Sequence, residues 1–379
     1  MMVLICMYAI IIGYVFFILW LSYGYKKVPL FTSSANIPKQ GFSIIIPFRN
    51  EEKNLPRLLD SIRQLDYPAF LYEILLVNDN SDDASVTCIE LYIKKHSQKN
   101  IKILNSIRTS NSPKKDAIQT AIAVTNYSWI VTTDADCMVP TLWLRELDSF
   151  IEHTNAKLVA GPVTLPVHSS TFLNVFEQMD TLSLAGATIG GFGNQQAFLC
   201  NGAHLAYEKA SFIEVNGFQG NTHIASGDDH FLLEKFTKTF PNQIHYLKSP
   251  QAIVTTTFQE RWSSYITQRK RWAAKSTGYT KTLTKGIGVL ILASNLTFVV
   301  GVVFAFAKAY THSLPFLILL FIKIVADFIL LIQASRFFNK QKLLLWYPLC
   351  ALWYPFISSY IALISLKGGF TWKGRYFKR

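Results

Sequence analysis

The sequence predicts an α/β domain set among membrane-spanning α-helices, and three observations predict it. Apolar residues are segregated into one run at the start of the chain and three at its end. The polar stretch between them alternates strand-like and helix-like patterns. Polar residues collect directly after the strand-like runs. Half of the 379 residues are hydrophobic, and the mean hydropathy is +0.23. That balance is too apolar for an ordinary soluble enzyme and too polar for an all-membrane transporter.

Residues 3–23 carry no charge and are long enough to span a bilayer. A signal peptide has a positive start, a shorter apolar run and a small-residue cleavage site. Here the charges, Lys26 and Lys27, follow the run. The expectation is an uncleaved anchor over residues 1–25, with basic residues that put the following domain in the cytoplasm. "FSIIIPF" (42–48) then reads as a buried parallel strand. Leu55, Leu58, Leu59, Ile62 and Leu65 recur at helical spacing, with Pro56 suited to a first turn. "YEILLVND" (72–79) is a second strand, and "DDASVTCIELYIKKH" a helix with acidic residues at its start. "IKILN" (101–105) and "WIVTTDAD" (129–136) are the third and fourth strands. Such alternation gives a parallel sheet covered by helices on both faces.

Three apolar runs, roughly 287–309, 314–335 and 343–366, close the chain. Were every run to span, the basic tail "WKGRYFKR" would end outside, against the positive-inside tendency. The last run contains Pro348 and Pro355 and is expected to be a re-entrant hairpin, which returns the tail towards the site. The resulting division is an anchor (1–25), a cytoplasmic α/β domain (38–255), an amphipathic interfacial segment (256–285), membrane helices (286–366) and a basic tail (367–379). Lys323 and Asp327, four apart on one of these helices, read as a mutual pair within the bundle.

The net charge of +13 fits a nucleic-acid binder or a membrane protein that handles anionic substrates. Distribution decides against nucleic acid, because the basic residues crowd beside the apolar runs: seven between Arg261 and Lys285, five between Lys367 and Arg379. The five cysteines are scattered, with no zinc spacing and no disulfide framework, which fits a reducing cytoplasmic setting.

In parallel sheets, ligands bind beyond the carboxyl ends of the strands. Those ends hold Arg49, Asn50 and Glu51, then Asn78, Asp79 and Asn80, then Asp134 and Asp136. Two carboxylates as near as Asp134 and Asp136 are costly unless a cation joins them. A hard divalent ion such as Mg²⁺ or Mn²⁺ takes carboxylates and diphosphate oxygens together, although two aspartates capping the next helix give the same letters. Asp228 and Asp229 precede the helical pattern of Phe231, Leu232 and Phe236. They either cap that helix or supply a general base for an acceptor hydroxyl; the adjacent His230 reads as a packing residue. "QRKRW" supplies Gln268, Arg271 and Trp272. Arginine suits a departing diphosphate and tryptophan a sugar ring, while Arg and Trp beside a membrane helix also form an interfacial belt.

Together these motifs carry a resemblance. "SIIIPFRNEE", "EILLVNDNSDD", "SPKKDAI", "TTDADC", "CNGAHLAY", "SGDDHFLLE" and "QRKRW" stand in the order found in family 2 glycosyltransferases. The chain resembles the membrane-bound branch with cellulose, chitin and hyaluronan synthases and lipid-modifying glycosyltransferases. The resemblance covers residues 42–272 and implies a GT-A fold: a Rossmann-like mixed sheet with helices on both faces. It implies an inverting, metal-dependent transfer from a nucleotide-sugar, a UDP-sugar, to a lipid or lipid-linked acceptor. A processive polysaccharide synthase and a non-catalytic scaffold with a degenerate pocket are the alternatives. By the resemblance, Pro47, Arg49 and Glu51 belong to the first nucleotide-contacting loop, and Asp79 binds the nucleotide base. Lys114 belongs to the Gly-Lys-type loop, although Pro113 stands where glycine is usual. Asp134 and Asp136 hold the metal, Asp229 is the catalytic base beside Asp228, and Gln268, Arg271 and Trp272 serve the diphosphate and acceptor. Asn78 and Asn80 depart from the usual aspartate and glycine but keep turn chemistry. Arg271 and Trp272 are expected to face the site, and Arg269, Lys270 and Lys275 the lipid headgroups. The expected location is the cell (inner) membrane, multi-pass, with the catalytic domain cytoplasmic.

Overall fold

The computed structural model describes residues 2–33, 37–97, 100–166, 171–278, 281–307, 313–366 and 368–377. Lys367, Lys378 and Arg379 of the basic tail lie outside the described residues. The helices are α1 Met2–Lys27, α2 Leu55–Arg63, α3 Ser85–His96, α4 Pro113–Ile122, α5 Trp143–Thr154, α6 Phe172–Gly193, α7 Lys209–Glu214, α8 Asp228–Thr239, α9 Trp262–Ala274, α10 Thr282–Ala307, α11 Ser313–Phe337 and α12 Tyr347–Ser365. The strands are β1 Phe42–Phe48, β2 Tyr72–Asn78, β3 Ile101–Asn105, β4 Trp129–Thr132, β5 Leu158–Ala160, β6 Val163–Thr164, β7 Leu205–Glu208, β8 Ile244–Tyr246, β9 Val254–Thr255, β10 Phe370–Trp372 and β11 Arg375–Phe377.

Seven strands form the main sheet in the order β3-β2-β1-β4-β7-β5-β8. The half read from the sequence is parallel, as the alternation predicts. β7 runs antiparallel to both β4 and β5, so the whole sheet is mixed. Apolar side chains of β1 bury on both faces, which is why the strand reads as a continuous apolar run. Pro47 is tolerated in this central strand because the β4 pairing has ended. Ile45 O accepts from Thr133 N, and Pro47, two residues on, faces the same side beyond the last β4 pair. The strand order reverses between β1 and β4, and a crevice opens at such a switch point.

Four helices are long and apolar enough to cross a membrane: α1, α10, α11, and α12 with the 3-10 turn at 341–346 that precedes it. α12 is a single helix that contains Pro355, not the hairpin expected for this run. Both its flanks lie against the α/β unit. Before it, Lys340 Nζ donates to Leu165 O at 2.6 Å and Gln178 Oε1 at 3.1 Å. After it, β10 and β11 pack on the first strand loops.

α6, inside the polar stretch, packs against α1 and α11. A Cβ built on Gly190 would lie 2.4 Å from the Leu21 carbonyl oxygen, and one on Gly193 would lie 1.9 Å from that of Gly24. The glycines let the two backbones touch. Lys323 Nζ pairs with Asp327 Oδ2 at 2.8 Å inside the bundle, and Tyr14 OH donates to Asp327 Oδ1. The mutual pair read from the spacing is therefore present.

Candidate active site

The site forms where β1, β2 and β4 end. After β1, Asn50 turns through a left-handed conformation (φ 54°), and Glu51 N donates to Ser85 Oγ at 2.8 Å. After β2, Asn80 is also left-handed (φ 58°). This explains how asparagine stands where glycine is usual, since its short polar side chain tolerates that region. Arg49 bridges the two loops, donating to Asp79 O at 3.0 Å and to Asn80 O.

Asp79 is buried and takes two guanidinium groups: Arg108 on Oδ1, and Arg375 on Oδ2 at 2.7 Å. Glu51 takes Lys373 Nζ at 2.6 Å. Lys373 and Arg375 come from the β10–β11 hairpin, so the tail read as returning towards the site sits on its first two loops. Its turn puts Lys373 (φ 46°) and Gly374 (φ 75°) in the left-handed region, the requirement of a tight two-residue hairpin.

Four carboxylates face two lysines and an arginine. Lys114, in the first turn of α4, lies 2.7 Å from Asp134 Oδ1 and 3.3 Å from Asp228 Oδ2. Burial alone would lower its pKa, but Asp134 and Asp228 outweigh burial and raise it. Asp228 and Asp229 open α8, where Gly227 holds the cap position. The helix dipole favours both carboxylates there. Asp229 Oδ1 accepts from His230 N at 2.7 Å and lies 3.3 Å from Lys275 Nζ. Burial would raise the Asp229 carboxyl, but Lys275 and Lys114 pull it down to about 2. Asp136 behaves oppositely: burial, then Asp134 and Glu51, push it up to about 6. Arg271 is lowered by burial and opposed by Asp134, Asp228, Asp229 and Asp136, so it lies within electrostatic reach of all four.

The α9 helix sorts its basic residues differently from the expectation. Arg269 does not face headgroups: it is buried, its Nε 2.6 Å from Asp180 Oδ2, and its guanidinium lies over the Tyr265 and Trp272 rings. Lys275 does not face headgroups either, being held on Asp229. Gln268 Oε1 accepts from Arg269 Nη1 at 2.9 Å. Arg108 and Asp180 went unread in the sequence, and Lys275 was assigned to the wrong side. For Lys275 a signal exists, since it lies four residues after Arg271 and so shares its helical face; for Arg108 and Asp180 the linear sequence holds none.

The donor chemistry at Asp134 and Asp136 fits a hard divalent ion. Asp136 is a buried carboxyl whose raised pKa records the cost of holding charge there without a cation. Among the described residues, no group of three or more His, Cys, Asp or Glu side chains is arranged to hold an ion. An ion between these aspartates would complete its shell with water or with oxygens of a bound diphosphate.

Dolichyl-phosphate beta-glucosyltransferase of Drosophila melanogaster is 31% identical over 116 residues, 29% of this chain and 35% of the relative. Poly(ribitol-phosphate) beta-glucosyltransferase of Bacillus spizizenii is 26% identical over 206 residues, 52% of this chain and 29% of the relative. The chain thus spans about a third of the length of these curated relatives. Among solved structures, the mannosyltransferase PcManGT of Pyrobaculum calidifontis, in complex with GDP-Man and Mn²⁺, superposes with a TM-score of 0.60. That match is at 16% identity and covers 96% of this chain and 99% of that one, a likeness of fold. Residues 43–215 match the model named Glycosyl transferase family 2, a little under half of the chain.

Proposed function

We propose that the chain is a membrane-bound, inverting glycosyltransferase that moves a sugar from a nucleotide-sugar, a UDP-sugar, to a lipid or lipid-linked acceptor. The observation that carries this reading is the cluster of Asp134, Asp136, Asp228 and Asp229 with Lys114, Lys275 and Arg271 at the strand ends. Arg271 stands on α9, which packs against α12, a helix apolar enough to enter a membrane. Similarity to the Drosophila dolichyl-phosphate beta-glucosyltransferase supports a lipid acceptor.

In this reading Asp79 and Arg49 hold the nucleoside end of the donor. Lys114 and Arg271 supply positive charge where the diphosphate departs. A divalent ion on Asp134 and Asp136 would add neutralising charge at the same place. Asp229 takes the proton of the acceptor hydroxyl, whose oxygen attacks the anomeric carbon from the face opposite the diphosphate. At about 2, Asp229 is a weak base while Lys275 and Lys114 hold it. A diphosphate competes for those two lysines, and losing them lifts Asp229 towards the operating pH, where base catalysis is most efficient.

The membrane arrangement follows from charge. Lys26, Lys27, Lys281, Lys285, Arg336, Lys340 and Lys342 all flank the apolar helices on the side of the catalytic unit. The positive-inside tendency makes that side cytoplasmic. In this reading α1, α10 and α11 cross the cell membrane, and α12, a single helix, lies with both its flanks on the cytoplasmic side.

The test is nucleotide release from a panel of sugar nucleotides by purified protein in native lipid extract, with and without Mn²⁺. Metal-dependent release from one donor is expected, with a glycosylated lipid as product. Asp229→Asn is expected to keep donor binding and lose turnover by roughly 10²–10⁴. Transfer at the parent rate by that variant would remove Asp229 from the role of base.

A further inference from the structure

A cavity of about 140 Å³ lies between α1, α6, α11 and α12, outside the ring of catalytic carboxylates. Its walls are chiefly apolar and include Ile18, Leu184, Ala187, Leu330 and Ala351. Three charged side chains also line it: Asp180, Lys323 and Asp327. Each is already matched. Lys323 pairs with Asp327, and Asp180 pairs with Arg269 and accepts from Tyr265 OH at 2.7 Å. The lining therefore offers no net charge to a guest. It suits neutral hydrocarbon and disfavours a phosphate. Apolar cavities of this order stay dry and take up apolar guests.

The lining includes Tyr14 on α1 and Lys323 on α11, and also Phe198 and Leu199. Three residues beyond Leu199, Gly202 lies beside the carboxylates: a Cβ built there would lie 3.1 Å from Asp228 Oδ2 and 3.6 Å from the Asp229 side chain. Three extended residues span at most about 10 Å. The cavity wall at Leu199 is therefore within about 10 Å of the backbone beside Asp228 and Asp229.

We infer that this cavity holds the first stretch of the acceptor's hydrocarbon chain, next to the hydroxyl-bearing head. The inference rests on the lipid-acceptor reading and adds where the chain goes. It divides the acceptor in two: hydrocarbon against Leu184, Ala187 and Ala351, and a head among Lys114, Arg271 and Lys275.

Two measurements on the full chain in lipid nanodiscs test it. The first is photolabelling with a long-chain alcohol that carries a diazirine a few carbons from its hydroxyl, with labelled peptides located by mass spectrometry. Labelling of residues 176–187 and 323–331 is expected, weakened about tenfold in Ala187→Trp and Ala351→Phe, which fill the cavity from opposite walls. Labelling confined to lipid-facing residues such as Phe321, and unchanged by either variant, overturns the inference. The second compares transfer to native lipid extract with donor hydrolysis by water. The variants are expected to lose lipid transfer about tenfold while hydrolysis stays at the parent rate, which also reports that the catalytic domain is folded. Equal lipid transfer by parent and variants rejects the cavity and leaves the enzyme reading intact. If the parent forms no lipid product yet the probe labels the cavity, the acceptor assignment fails and the cavity stands as a hydrocarbon site.

Discussion

His204 makes the stability of the fold depend on pH. It is buried; its Nε2 accepts from Trp143 Nε1 at 2.9 Å, and its Nδ1 lies 3.3 Å from Pro162 O, so the neutral ring carries its proton on Nδ1. Burial holds its pKa down to about 4. An unfolded chain protonates this ring near pH 6.5, whereas the folded chain resists protonation until about pH 4. Between those values the unfolded state binds more protons, so stability falls as pH drops through the window, by about 3 kcal/mol in full. Above the unfolded pKa the ring adds nothing to the slope. Thermal unfolding in one detergent should show a Tm that falls more steeply with acid for the parent than for His204→Gln. Asp136 gives a second pH dependence. A protonated carboxyl is no ligand, so Mn²⁺ affinity measured by calorimetry should weaken as pH falls through about 6. At this scale the sequence was legible where a residue type implies a charge and a strand end implies a place, as with Asp79 and Asp134. It was misleading for Arg269 and Lys275, because a linear motif hides which helical face a residue joins. Arg269 shares a face with Tyr265 and Trp272, and Lys275 shares one with Arg271.

The α1–α6 crossing is the element on which the membrane part and the catalytic part depend together. Gly24, Gly190 and Gly193 leave no space for a side chain, since each hypothetical Cβ falls within 2.4 Å of a facing backbone or side-chain atom. Gly190→Val should push the helices apart and cost about 1–3 kcal/mol, read as a lower Tm with donor binding reduced in step. Asp180→Ala would leave the Arg269 guanidinium buried beside Tyr265 without its carboxylate. A loss of about 3–5 kcal/mol is expected, and Asp180→Glu should recover part of it. The four early strands were readable because each is a short apolar run ended by polar turn residues. α6 was not recognised as a partner of the membrane helices, because its glycines signal close backbone approach only once the facing helix is known. The antiparallel β7 also escaped, because strand direction depends on pairing partners far apart in sequence.

At the scale of the whole molecule, four apolar runs announce four helices, yet length alone does not say that each one crosses. The flanks of α12 decide it. Lys340 on one side and Lys373 on the other both contact the catalytic unit. Single cysteines replacing Lys342 and Tyr376, in a background lacking the five native cysteines, should react with an impermeant maleimide from the same side of sealed vesicles, and one replacing Leu314 from the opposite side. Labelling of positions 342 and 376 from opposite faces would make α12 a crossing helix. The basic tail, troublesome for any four-crossing scheme, then needs no exception to the positive-inside tendency.

The hairpin on the donor loops ties function to the order of synthesis. Glu51 and Asp79 leave the ribosome early, but their partners Lys373 and Arg375 follow every apolar helix, more than 290 residues later in each case. Loops so distant in sequence close late, after the intervening segments have found their places. A chain that stalls while its helices insert therefore has a finished sheet and an unfinished nucleotide pocket. If the Glu51 and Asp79 loops hold the donor as proposed, donor binding should await the insertion of every apolar helix.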